Sequence, residues 1–194
     1  MRPFSFLTVT VLVLFFGQSA FAHTGVGSTN GFISGFSHPM FGLDHLLAMV
    51  AVGLWAAQQG GRALWLVPCT FVTVMALGGL SAHLGVGLPA VEMGIGLSVI
   101  VLGLAVAANL KLPVILGMAL VGLFAIFHGH AHGAEMPEDA SGLAYGLGFA
   151  LATALLHGAG IGLAWVASRF TSKRTTQVAG GIITALGVVL LVGN

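Results

Sequence analysis

Six apolar stretches, each long enough to cross a bilayer as a helix, dominate this chain of 194 residues. They cover approximately residues 39–58, 64–83, 89–108, 113–131, 142–167 and 176–193. Because a membrane-spanning helix needs about 20 apolar residues, the pattern predicts an all-α, polytopic membrane helix bundle with six transmembrane helices. Charged residues make up only 6% of the chain, against roughly 25% in an ordinary soluble domain. This composition excludes a soluble enzyme, and the net charge of +1 gives no basic surface for nucleic acid.

The first 22 residues have the pattern of a secretory signal peptide, which would precede a six-span domain at 23–194. Arg2 supplies a positive charge, residues 4–16 form a short apolar segment, and Ala20-Phe21-Ala22 matches a small-residue cleavage site. We therefore expect a mature chain that begins at His23, outside the cytoplasm. The alternative is an uncleaved first span.

Charge in the connections between the stretches predicts the orientation of the bundle. Counted from an external His23, the connections after the first, third and fifth stretches are cytoplasmic. They carry every Lys and Arg of the mature chain, namely Arg62, Lys111, Arg169, Lys173 and Arg174. The connection after the fourth stretch is acidic, with Glu135, Glu138 and Asp139. Since cytoplasmic loops are enriched in Lys and Arg, we expect both mature ends on the periplasmic side of a bacterial inner membrane.

Eight histidines in so apolar a chain are the strongest indication of function, because ionisable side chains within membrane spans are rare and usually functional. Most of them converge, with two carboxylates, on the external ends of four stretches. These residues are His38, Asp44 and His45 in the first stretch, His83 in the second, Glu92 in the third, and His128, His130 and His132 in the fourth. His157 lies deep in the fifth stretch, where we interpret it as a packed or hydrogen-bonded histidine.

Local spacing predicts which of these side chains share a helix face. Pro39 suits a first helical turn, so His38 and His45 are expected two turns apart on one face of a continuous first span. In the fourth stretch the positions i, i+4 and i+7 form one stripe, provided the helix continues through the following glycine. The stripe consists of His128, His132 and Glu135, and His130 is expected to point the other way.

Imidazole and carboxylate together are typical of a site for a divalent transition metal. Neutral imidazole suits Ni, Co, Zn and Cu(II), whereas Mg and Ca prefer oxygen alone. The chain has a single cysteine, Cys69, which excludes both a disulfide framework and a thiolate cage. The alternative is that these polar side chains hydrogen-bond to one another at the helix ends.

Glycines within the spans predict close helix packing. The pairs Gly142-x-x-x-Gly146 and Gly158-x-x-x-Gly162 lie in the fifth stretch, and small residues at this spacing let helix backbones approach each other.

Two segments resemble the signatures of a known family. His38-Pro-Met-Phe-Gly-Leu-Asp44-His45 resembles the HPxxGxDH motif of the HupE/UreJ nickel permeases, and Phe127-His128-Gly-His130-Ala-His132-Gly-Ala-Glu135 resembles their FHGxAHGxE motif. The resemblance extends over the whole mature chain in length and number of spans. It implies secondary uptake of nickel, or in some members cobalt, with no permanent cofactor and an indirect link to hydrogenase or urease.

The same resemblance implies a set of metal ligands. The two motifs supply His38, Asp44, His45, His128, His132 and Glu135. The family also implies Glu92 and, more weakly, Phe71, which by itself is an ordinary core aromatic.

Three further histidines are weaker candidates for the metal path. His83 and His130 lie at the external ends of their stretches. His23 would carry a free α-amine beside its own imidazole after cleavage, which is a bidentate chelate suited to capture of external metal.

Two other functions remain open from the sequence. Gly79-Leu80-Ser81-Ala82 nearly matches the GxSG of a rhomboid-like intramembrane serine protease, with His157 as the base, and such a dyad requires hydrogen-bond contact between the two side chains. The fourth residue is alanine, however, and a dyad leaves the histidine cluster unexplained. A membrane metal sensor or chaperone that does not transport is the other alternative.

Overall fold

The computed structural model describes residues 31–136, 141–170 and 172–193, and the chain is helical throughout those ranges apart from short connections. The helices are α1 (Gly31–Phe41), α2 (Leu43–Gln59), α3 (Ala63–His83), α4 (Val91–Ala107), α5 (Val114–Ala134), α6 (Gly142–Phe170) and α7 (Lys173–Gly193). The described ranges contain no strand, which confirms the all-α class. The predicted signal peptide and His23 lie outside the described residues.

The number of membrane spans is confirmed only in part. Four helices, α3, α5, α6 and α7, are long and apolar enough to cross a membrane, and α1 with α2 makes a fifth if the pair counts as one span. The predicted third span corresponds to α4, which has 17 residues. At 1.5 Å per residue α4 is about 25 Å long, slightly less than the roughly 30 Å of a hydrocarbon core.

The first predicted span is broken, and the prediction of one continuous helix there was wrong. Between α1 and α2 the chain turns by 81°, at Gly42, which has an extended backbone (φ −78°, ψ 111°). Pro39 lies inside the last turn of α1 and not at a helix start. Proline and glycine are the two poorest helix formers, so three residues apart they favour a break. His38 and His45 therefore lie on different helices, not on one face.

Helix α2 is the central helix of the bundle. It packs against α6, α4 and α3, and almost every side chain from Ala48 to Ala56 is buried. The remaining close pairs are α3 with α5, α4 with α7, and α1 with α6. This arrangement brings the start of α2 and the end of α5 to the same end of the bundle.

Glycines do allow close helix packing, but not those singled out by the sequence. A Cβ added at Gly148 would overlap the Phe32 carbonyl oxygen of α1, and one at Gly160 would overlap the Val50 carbonyl oxygen of α2. In contrast, three of the four predicted glycines have no neighbouring helix within 4 Å of an added Cβ, namely Gly146, Gly158 and Gly162. Helix α6 therefore packs through other glycines, because a spacing of four places two residues on one face but does not say whether that face meets another helix.

The end of α2 remote from Asp44 is tied to the connection between α4 and α5. Trp55 Nε1 donates to the Leu110 carbonyl at 2.9 Å. The Gln59 amide donates to the Leu112 carbonyl at 3.1 Å and accepts from the Leu112 amide at 3.4 Å. Trp55 is fully buried, so these bonds fix the α4–α5 connection against the end of α2.

Candidate metal centre

The residues of the two sequence motifs meet where the end of α1, the start of α2 and the end of α5 come together. We call this group the outer cluster: His38, Asp44, His45, His128, His132 and Glu135. Three ring contacts hold it together. The His45 ring centroid lies 4.6 Å from that of His128 and 4.3 Å from that of His132, and the His38 and His132 centroids are 4.6 Å apart.

Asp44 fixes the proton and the orientation of the His45 ring. Asp44 Oδ1 accepts from the His45 backbone amide at 2.7 Å and pairs with His45 Nδ1 at 2.8 Å. A carboxylate only accepts hydrogen bonds, so the proton resides on Nδ1 and the lone pair on Nε2. Within the described residues Nε2 is buried and has no hydrogen-bond partner. This carboxylate–histidine pair is the arrangement that orients metal-binding imidazoles in proteins.

Gly42 leaves space for the Asp44–His45 pair. A Cβ added at Gly42 would lie 3.1 Å from Asp44 Oδ1 and 3.3 Å from His45 Nδ1. The φ of Gly42 is available to any residue, so this glycine is needed for room beside the pair and not for a special backbone conformation.

Ser98 of α4 fixes the proton of His128 in the same way. The Ser98 hydroxyl donates to the Ile95 carbonyl at 2.6 Å and lies 2.8 Å from His128 Nε2. A serine has one hydroxyl proton, so with that proton donated to the Ile95 carbonyl, His128 Nε2 is the donor to Ser98 Oγ. The lone pair of His128 is therefore on Nδ1, which is buried and lacks a partner in the described part of the chain.

The outermost part of the cluster consists of His38, His132 and Glu135. One ligand atom from each of the three lies within 4.8 Å of the others, and His38 Nε2 is 3.3 Å from Glu135 Oε2. His132 is buried, and neither of its ring nitrogens has a hydrogen-bond partner among the described residues. Its ring packs on Phe149 of α6, with 3.8 Å between centroids. This spacing suits a single ion bound by two imidazoles and one carboxylate.

Glu92 and Phe71 lie at the edges of the outer cluster. Glu92 is exposed in the first turn of α4, and its carboxylate interacts electrostatically with Asp44, Glu135 and His45. Phe71 is fully buried in α3, with its ring centroid 5.6 Å from that of His128. The Glu92 carboxylate is therefore a negative charge near the outer cluster, and the Phe71 ring packs against His128, the most buried histidine of the cluster.

The three weaker candidates have different positions. His130 points away from the cluster, as its spacing predicts, and Nε2 donates to the Val86 carbonyl at 2.8 Å, so it holds the α3–α4 connection. His83 is exposed at the end of α3 and lines a cavity that also contacts His132. His23 lies outside the described residues.

Sequence reasoning missed Ser98 and the role of Gly42. A serine within an apolar helix commonly bonds to a carbonyl of the preceding turn, and nothing in its spacing connects it with a histidine 30 residues later. Gly42 stands within the HPxxGxDH motif, so its position was available, but its meaning depends on the break between α1 and α2.

The serine protease dyad does not form. The Ser81 hydroxyl donates to the Gly78 carbonyl at 2.6 Å. Neither ring nitrogen of His157 has a hydrogen-bond partner within the described ranges, so no bond joins His157 to Ser81.

Comparison with known proteins agrees with the motifs. The family model for HupE / UreJ protein matches residues 11–190. The chain belongs to this family. Protein HupE of Rhizobium leguminosarum bv. viciae is 45% identical over 190 residues, which is 98% of this chain and 99% of that protein. No solved structure matches the chain.

Membership of the HupE/UreJ family confirms the resemblance seen in the motifs. The family consists of metal permeases associated with nickel and cobalt uptake, and its members are not enzymes. The family is also linked to the supply of nickel to hydrogenase and urease. Together with the apolar helices, this makes the chain a membrane protein of the permease class.

Proposed function

We propose that this protein is a secondary transporter that takes up Ni²⁺, or Co²⁺, from the periplasm into the cytoplasm through the outer cluster. It lies in a bacterial inner membrane with both mature termini periplasmic, and the ion it delivers supplies enzymes such as hydrogenase or urease. The transported ion is its substrate, and the protein holds no permanent cofactor.

The observation that carries this proposal is the set of fixed imidazole lone pairs. Asp44 and Ser98 each accept the proton of one ring, which leaves His45 Nε2 and His128 Nδ1 as acceptors without a described partner. Buried polar atoms without a partner cost about 1–3 kcal/mol each. A divalent cation bound to these nitrogens removes that cost, and the His132 ring contacts that of His45.

Charge also favours a cation at this site. Asp44 and Glu135 belong to the cluster, and Glu92 lies within electrostatic range of both. Three carboxylates offset the two positive charges of the ion where the surrounding bundle has a low dielectric constant. Carboxylates also accept protons, so they provide a route for proton exchange as the ion leaves.

Partly exposed ligands give an ion a route to the buried ones. The side chains of His38 and Glu135 are 27% and 42% exposed, whereas His128 is fully buried. A cavity of about 580 Å³ between α3, α5 and α6 reaches His132 past His83 and Met136. An ion can therefore enter at the partly exposed ligands and pass to the buried ones.

Flux into proteoliposomes tests the proposed function. We expect radioactive Ni²⁺ to accumulate in vesicles that contain the purified protein, with competition by excess Co²⁺ and none by Mg²⁺, which prefers oxygen ligands. Repeating the assay with and without a pH gradient identifies proton coupling. Uptake no faster than in protein-free vesicles would contradict transport, and Ni²⁺ binding without flux would favour the sensor or chaperone.

Two histidines of α5 provide a matched pair of variants for this assay. His132→Gln removes a cluster ligand and should lower Ni²⁺ uptake by about tenfold or more. His130→Gln keeps a donor for the Val86 carbonyl and should stay close to the unsubstituted protein. The reverse order would show that the outer cluster is wrongly assigned.

A further inference from the structure

One buried histidine has no role in the outer cluster. His157 lies in the middle of α6 with 1% of its surface exposed. Both of its ring nitrogens are buried without a hydrogen-bond partner among the described residues, so of the expected packed or hydrogen-bonded histidine the structure shows the packed one. Ionisable side chains inside a membrane bundle usually mark ion pathways, and a ring with two unpartnered nitrogens is costly unless something binds it.

His157 is connected to the outer cluster through a single aromatic ring. The Phe71 ring lies edge-on to His157, with 5.3 Å between centroids, and it also contacts the His128 ring, with 5.6 Å between centroids. His128 and His157 also interact electrostatically. Phe71 therefore separates the innermost histidine of the cluster from a further imidazole.

The backbone around His157 is held in place. A Cβ added at Gly53 of α2 would overlap the His157 carbonyl oxygen, and the Gly160 backbone of α6 packs equally closely on α2. One turn before His157 on the same face of α6, buried Thr153 donates to Met75 Sδ at 3.7 Å. The His157 imidazole thus projects from a part of α6 that packs closely on α2. The Thr153 hydroxyl and the Met75 thioether lie nearby.

A groove of about 450 Å³ runs beside His157 between α3 and α6, and it is also lined by Thr73 and by exposed Cys69. The two ring nitrogens are themselves buried, so an ion reaches them only when the side chains packed around the ring move.

We propose that His157 forms a second, inner ion-binding position for Ni²⁺ or Co²⁺, reached from the outer cluster past the Phe71 ring. The inference rests on the proposed transport function. The ion passes from His128 to His157 by ligand exchange, and its charge is unchanged during the transfer. Binding at His157 is then the step that moves the ion into the cytoplasmic half of the bundle.

The test combines binding and flux for His157→Gln. We expect equilibrium binding of Ni²⁺ to the detergent-purified variant to retain the affinity of the outer cluster, while uptake into proteoliposomes falls by about tenfold or more. The control is His130→Gln, a second buried histidine of the bundle that is hydrogen-bonded outside the path. Uptake by His157→Gln equal to that of the unsubstituted protein would overturn the inference.

A ligand-exchange variant separates coordination from a purely structural role. His157→Cys replaces imidazole by a thiolate, which prefers soft ions, so the ratio of Cd²⁺ to Ni²⁺ uptake should rise by about tenfold or more. An unchanged ratio would overturn the inner position. Absence of Ni²⁺ flux in the unsubstituted protein would instead refute the proposed function, so the two failures are distinguishable.

Discussion

The ring protons of His45 and His128 are each held by an oxygen atom that need not touch the ion. Asp44 holds Nδ1–H of His45, and Ser98 holds Nε2–H of His128, so the two contacting rings leave different nitrogens without a described partner. The sequence predicted the histidines and the aspartate, because imidazole and carboxylate stand out in apolar helices. It did not predict Ser98, whose bond to His128 exists only once α4 packs on α5.

Loss of the Ser98 hydroxyl should weaken metal binding without removing a ligand. In Ser98→Ala the His128 ring loses its acceptor and its fixed tautomer, and loss of the hydrogen-bond partner of a metal ligand typically costs about 10–100-fold in metal affinity. Equilibrium dialysis of the detergent-purified protein with radioactive Ni²⁺ measures the change.

Ser81→Ala is the matched control for this experiment. Ser81 makes the same type of bond to a carbonyl three residues earlier but lies outside the outer cluster. Its loss should leave Ni²⁺ affinity within about twofold, the range of a substitution that touches no special feature. Equal weakening by both alanine variants would show that Ser98 acts only through helix stability.

At the scale of helices, apolar stretches predict where the elements lie but not how they bend or which faces meet. Each predicted stretch corresponds to a helix, yet the first is divided at Gly42. Apolar residues continue on both sides of the break, so hydropathy alone does not reveal it. The break matters for the site, because the bend places His38 beside His132 and Glu135. In a continuous helix His38 would lie two turns from His45.

Two adjacent glycines of α7 test the helix contacts directly. A Cβ at Gly180 would overlap the backbone of Ala107 in α4, whereas a Cβ at Gly181 meets no neighbouring helix within 4 Å. Gly180→Ala should therefore destabilise the protein by about 1–3 kcal/mol. Gly181→Ala should be neutral or stabilise it by up to about 1 kcal/mol, because alanine is the better helix former.

Thermal unfolding in detergent measures both variants under the same conditions. We expect the midpoint temperature of Gly180→Ala to fall and that of Gly181→Ala to stay the same or rise. A lower midpoint temperature for Gly181→Ala alone would show that α7 contacts α4 through the face of Gly181 and not through that of Gly180.

For the whole molecule, the two ends of the bundle differ in chemistry. One end carries the partly exposed ligands of the outer cluster, and the other has the Trp55–Leu110 and Gln59–Leu112 hydrogen bonds. The positions of the histidines and carboxylates in the stretches predict the end that carries the ligands, and loop charge predicts that this end is periplasmic. The sequence could not predict the hydrogen bonds at the other end, because they join residues more than 50 positions apart.

Reporter fusions test the orientation of this polarity. A reporter that is active only in the periplasm should be active when fused after Asn194 and inactive when fused after Lys111, because Lys111 lies in a connection predicted to be cytoplasmic. A reporter that is active after Lys111 and inactive after Asn194 would show that the bundle has the opposite orientation, with the outer cluster on the cytoplasmic side.

The most direct test of the central claim, that the outer cluster binds the transported ion, is Ni K-edge X-ray absorption on the loaded, purified protein. We predict back-scattering from several imidazole rings together with oxygen ligands, and a lower imidazole count in His132→Gln but not in His130→Gln. A spectrum of fully hydrated Ni²⁺, or one dominated by sulfur, would contradict the account.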